Sequence, residues 1–175
     1  MNISAKSIYD ASAMRDLTYV SYFKKTKPAI VLLVYAILFL VTISAHLIMF
    51  YFYDFHDLAY VTVINFALLA IELDRFLLAP KRNYRALKKM KDSEHLYTFM
   101  SENFTMNTAN EGYKGQCTVD YSYLTAVYET KRYIFLLQGK VSYVVDKESL
   151  DEKSLEALRG RLMPYFENKY KVCKY

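Results

Sequence analysis

Residues Ala29–Tyr53 read AIVLLVYAILFLVTISAHLIMFYFY, with His46 as the sole ionisable side chain besides tyrosines. A bilayer core about 30 Å thick needs roughly 20 helical residues at about 1.5 Å each. The run exceeds that length and predicts a span with some tilt. A core helix of a soluble domain keeps a polar face, and this run has none. A cleaved signal has a short apolar region close to the N-terminus and a small-residue cleavage site. Here the run starts near residue 29 and ends in Phe50-Tyr51-Phe52-Tyr53, so it is expected to stay in the mature protein.

A second apolar run, Leu58 to Leu69 (LAYVTVINFALL), continues past Glu72, Asp74 and Arg75 to Leu78. It spans if that charged cluster lies near the headgroups. The expectation is a hairpin of two transmembrane helices, about 29–53 and 58–78. Arg15, Lys24, Lys25 and Lys27 precede the pair, and Lys81, Arg82, Arg85, Lys88, Lys89 and Lys91 follow it. The connection Asp54-Phe55-His56-Asp57 has no lysine or arginine. The positive-inside rule then predicts a multi-pass protein of the cell membrane with both termini cytoplasmic. The net charge of +5 sits largely in these flanks. Its natural counterpart there is anionic lipid, and nucleic acid is not an expected partner. Cys117 and Cys173 fall on the reducing side and are expected as thiols. No cysteine or histidine spacing suggests zinc.

Four segments follow from this reading: 1–27 before the membrane, 28–80 with the two spans, 81–94 as a basic juxtamembrane helix, and 95–175 as a β domain. In the first segment Ile3–Tyr9 predicts a short strand. Asp10 suits a helix N-cap, and Ala13, Leu17, Val20 and Phe23 form a stripe that either lies in the interface or packs on the soluble domain. Pro28 suits a first helical turn, while Pro80 predicts the second span's end or a kink. Strands are expected at Leu96–Met100, Phe104–Met106, Tyr113–Tyr121, Leu124–Thr130, Tyr133–Gln138 and Val141–Val145. The third of these alternates with period two, and Gln138-Gly139-Lys140 is a hairpin turn. Ser149 to Glu152 has capping-box spacing. Leu155, Leu158, Leu162 and Phe166 give a helical stripe, with Gly160 and Pro164 predicting a kink or early end. The sum is α+β: short antiparallel strands forming a sheet or partial barrel, closed by a C-terminal helix.

The order of elements, with Tyr97-Thr98-Phe99, Thr118-Val119-Asp120-Tyr121-Ser122-Tyr123-Leu124, Val127-Tyr128-Glu129-Thr130-Lys131 and Lys147, resembles the YcxB-like family of bacterial membrane proteins. The resemblance covers residues 95–170 in sequence pattern. It implies a two-helix membrane hairpin and a C-terminal domain related to pleckstrin-homology folds. The chain departs from the family at Tyr121, where tryptophan is frequent, and at Asp146, where proline is. The family carries no activity to transfer.

Intramembrane polar groups are costly and often functional. His46 and Asn65 are candidates for pairing across the hairpin. Glu72 and Arg75, three apart, are expected to pair, and Asp74 to meet a basic group at the first helix's cytoplasmic end. Lys81, Arg82, Arg85, Lys88, Lys89 and Lys91 are candidates for anionic-lipid contact. Glu129 and Lys131 read as solvated strand-end residues. No catalytic constellation, phosphate loop, metal set or cofactor motif is present, so the chain is expected not to be an enzyme. The leading expectation is a cytoplasmic docking or regulatory domain held at the bilayer, with a protein partner. The alternatives are a homo-oligomeric hairpin forming a pore or transport accessory, and, behind it, a membrane enzyme.

Overall fold

Alternation decides the first element. In Ile3–Ile8, strand β1, Ile3, Ala5 and Ser7 are buried while Ser4, Lys6 and Ile8 face outward. Helix α1 (Ala11–Phe23) starts where the Asp10 Oδ1 accepts the Ala13 N–H at 2.7 Å, satisfying a donor that a helix leaves free at its start. The structure is a computed structural model that describes residues 2–23, 27–53, 58–87, 92–110 and 113–173. The apolar run forms α2 (Pro28–Tyr53), followed by α3 (Leu58–Leu73). These two pack on each other, with the Phe39 and Phe66 rings 5.7 Å apart. A four-residue connection between such long helices permits only an antiparallel pair. Pro28–Phe52 is long and apolar enough to cross a membrane, with mean hydropathy 2.5 and none of its most apolar stretch buried.

Past Leu73 the helix widens into a π-turn, Asp74–Leu78, and continues as α4 (Ala79–Ala86). Pro80 does not end it. A residue at 80 would ordinarily give its N–H to the Phe76 carbonyl, which proline cannot do. The Tyr19 hydroxyl of α1 donates to that carbonyl instead, at 3.1 Å, and the Tyr19 ring stacks on Phe76 at 5.5 Å. Asn83 adds a second tie, its Nδ2 donating to the Thr18 hydroxyl at 3.0 Å.

Strands β2 (Glu94–Phe99), β3 (Asn103–Asn110) and β4 (Tyr113–Asp120) follow. They complete an antiparallel sheet in the order β1-β2-β3-β4, with Ile3 opposite Phe99 and Ile8 opposite Glu94. Segment 1–27, set apart in the sequence, thus supplies a strand to the domain that follows the helices. The second sheet contains β5 (Ala126–Glu129), β6 (Tyr133–Gln138) and β7 (Val141–Asp146). Helix α5 (Glu152–Phe166) then leads to β8 (Tyr170–Val172), which pairs in parallel with β5; the order is β7-β6-β5-β8. Gly139, at φ +59°, turns the β6–β7 hairpin, in a region glycine enters without steric cost.

Phe99, Phe104, Val119 and Tyr121 of the first sheet and its exit meet Val127, Ile134, Leu136 and Val145 of the second. Leu158, Leu162 and Phe166 of α5 plug the same core, and the Arg161 guanidinium donates to the Phe99 and Met100 carbonyls. Among the described residues the sheets stay two and do not close into a barrel. The second sheet is buried on its other face too, where Tyr133, Phe135 and Val144 pack with Tyr9, Ala13, Met14 and Val20. That double burial explains the unbroken apolar run Tyr133-Ile134-Phe135-Leu136. The stripe on α1 therefore packs on the domain.

Three local expectations are corrected. Ser149 does not cap α5: its hydroxyl donates to the Asp146 carbonyl and accepts the Lys6 N–H, while Asp151 accepts the Ser154 N–H at 2.6 Å. Pro164 does not end α5, whose last turn is held by buried Phe166. The strand expected from Leu124 starts at Ala126, after a tight 3-10 turn at Tyr121–Tyr123.

Candidate functional site

A cleft of about 630 Å³ lies where α1 crosses the junction of the π-turn and α4. Helix α1 contributes Ser12, Arg15 and Tyr19, one turn apart along one face. The facing wall is Phe76, Leu77, Pro80, Lys81, Tyr84 and Arg85. The Tyr19–Phe76 tie described above fixes the separation of these walls. Arg15 touches the Asp16 carboxylate at 3.3 Å, a carboxyl that burial pushes above its usual range despite that arginine. The Tyr84 hydroxyl donates to both oxygens of Asp92, at 2.7 and 3.0 Å. Lys81 and Arg85 are exposed and have no carboxylate partner among the described residues. The cleft thus joins aromatic and aliphatic walls to three cations, of which two are unpaired.

The basic candidates divide by face. Arg82 points away from the cleft and forms two hydrogen bonds of 3.2 Å to Asp74. Asp74 was expected to meet a base near the first helix. It meets Arg82 because the helix runs on through the π-turn and brings both residues to one face. Glu72 and Arg75 pair at 2.7 Å, with the Arg75 guanidinium 5.3 Å from the Tyr22 ring centre. Lys88, Lys89 and Lys91 lie outside the described residues, as does the connection 54–57. His46 and Asn65 do not pair: the Asn65 amide donates to the Val61 carbonyl at 3.1 Å, and the His46 Nδ1 is shielded with no hydrogen-bond partner among the described residues.

A second ionic cluster was missed in the sequence. Glu129 is not solvated; it is 2 % exposed at the end of β5. Its carboxylate accepts from Lys147 Nζ at 2.6 Å, Arg159 Nε at 3.1 Å and the Tyr170 hydroxyl at 2.6 Å. Burial alone would raise this carboxyl, but the hydrogen bonds from Arg159, Lys147 and Tyr170 outweigh it and bring it to about 2. A carboxylate so fully accepted is a strut joining β5, α5 and β8, not a proton acceptor near neutrality. His95 is likewise enclosed, its ring nitrogens 2.7 and 2.8 Å from the Ser93 and Thr108 hydroxyls. Burial lowers its pKa to about 4. Among the described residues no cluster of histidine, cysteine and carboxylate groups could hold a metal. The signal for Arg15 and Tyr19 was present as four-residue spacing on α1; their facing wall was not.

These features define a mixed helix-and-strand chain: two four-stranded sheets around a helix-plugged core, with a long apolar helix left unburied. Residues 108–160, from late β3 into α5, match the family model described as YcxB-like protein, so the resemblance read from the sequence holds on that stretch. No curated protein and no solved structure matches the chain.

Proposed function

We propose that this chain is a non-enzymatic, two-span membrane protein whose cytoplasmic β domain, pleckstrin-homology-like by its family resemblance, is a docking module. The observation that carries the reading is the strand register across the helical pair. Strand β1 precedes α2 and β2 follows α4, yet they are hydrogen-bonded from Ile3–Phe99 to Ile8–Glu94. Two paired strands occupy one side of a bilayer. A chain that leaves through α2 has to return before β2, and α3 with the π-turn is the segment for that return. Leu33, Leu40, Val41 and Leu47 are 59–60 % exposed around α2, a surface that water disfavours and lipid does not. Tyr51 and Tyr60, at the far end of the pair, suit the opposite headgroup layer.

Labelling with a membrane-impermeant thiol reagent tests the topology. Asp57→Cys reacts in intact cells, and Lys91→Cys only after permeabilisation; the reverse pattern, or no reaction at 57, overturns the spans. Docking is assigned to the free edge of β4, the outermost strand of its sheet, where an extended partner segment can add. A photoreactive residue in place of exposed Gln116 crosslinks to a second protein; crosslinks confined to lipid count against docking. The unpartnered His46 Nδ1 favours a second reading, in which hairpins self-associate. Self-crosslinking that is unaffected by His46→Leu removes it.

A further inference from the structure

We propose that the α1–α4 cleft seats the phosphate headgroup of one anionic phospholipid, held by Arg15, Lys81 and Arg85. The inference rests on the membrane reading and goes beyond it by naming a bounded site and its ligand. A positive-inside signal by itself places charge near a span without regard to face. Here the faces differ: Arg82, pointing away, is neutralised by Asp74, whereas Lys81 and Arg85, pointing into the cleft, are not. The third cation comes from α1, which no juxtamembrane basic run supplies. Phe76 and Leu77 continue the apolar surface of α3 into the cleft floor, so the glycerol and first acyl carbons rest on them while the phosphate meets the cations. Arginine offers paired donors suited to phosphate oxygens. The anionic groups nearby are accounted for. Asp16 leans on Arg15, Asp10 accepts the Ala13 N–H and the Tyr133 hydroxyl, and Asp92 is held by the Tyr84 hydroxyl.

The test is native mass spectrometry of the full-length protein in mild detergent, titrated with phosphatidylglycerol or with phosphatidylcholine. One phosphatidylglycerol is retained per chain, well above phosphatidylcholine. R15Q/K81Q/R85Q weakens that retention by at least about tenfold. The charge-matched K88Q/K89Q/K91Q changes it less than about threefold. Arg15, Lys81 and Arg85 are exposed, so the fold is kept in the cleft variant, and Arg85→Glu alone gives a second variant with the same loss. Equal loss in both triple variants, or none in either, overturns the site. Glycerol phosphate displacing the lipid at equal concentration also overturns it, since a soluble phosphate would then be the ligand. Thiol labelling of the same variants separates the failures. Lost selectivity with labelling as expected defeats the cleft alone, and reversed labelling defeats the membrane reading.

Discussion

Two ionic clusters in this molecule are built in opposite ways. At Glu129 one carboxylate accepts from Lys147, Arg159 and the Tyr170 hydroxyl, so each of the two cations has an anionic contact and the acceptor is 2 % exposed. At the α1–α4 cleft Lys81 and Arg85 have no carboxylate contact among the described residues and remain open. The first cluster spends its electrostatics on holding the fold; the second leaves it unspent. The difference teaches where to look for a ligand: not at the most perturbed group, but where exposed cations have no carboxylate contact.

The largest effect separating the two clusters is expected from Glu129→Ala. Removing the acceptor strands Lys147 and Arg159 and costs on the order of 3 kcal/mol or more, read as a lower denaturation midpoint in detergent; an unchanged midpoint breaks the comparison. Acid sharpens it. Above pH 4.5 the Glu129 network contributes in full, and it is lost as pH falls toward its folded value of about 2. His95, buried neutral, acts at higher pH. The unfolded chain protonates it first, so stability falls as pH drops from 6.5 toward about 4, by on the order of 3 kcal/mol. His95→Gln should flatten that upper limb and leave the lower one. Tyr19→Phe keeps the stack but removes the donor to the Phe76 carbonyl, at about 1 kcal/mol in thermal melts. Lys81→Gln and Arg85→Gln should sit within about 0.5 kcal/mol of the parent; a larger loss would mean that these residues hold the fold.

What could be read from the sequence was local. The α2 helix needs only length and composition, the Tyr113–Asp120 strand only alternation, and the β6–β7 turn only Gly139. Asp10 as the cap of α1 was visible for the same reason. What could not be read depends on chain segments far apart. The hydrogen-bond donors to Glu129 lie 18, 30 and 41 residues away, and nothing between Tyr128 and Thr130 announces them. Strand β8 is three residues long and pairs in parallel, below any periodicity signal. The cleft shows both sides of this. Its basic wall was a run of charge in plain view, while Arg15 stands before the helical pair and meets that wall only once β1 and β2 have joined.

In the two-span reading proposed above, that junction also sets an order on biogenesis. Strand β1 leaves the ribosome well before β2 and has no antiparallel neighbour until the helical pair has been made. If insertion stopped after one crossing, β1 and β2 would emerge into different compartments, β2 would keep an open edge, and α1 could not cover the second sheet. Such a misrouted chain stays incompletely folded and exposed to proteases. On that reading the discontinuous sheet works as a proofreader of insertion: only a chain that has come back can close its domain.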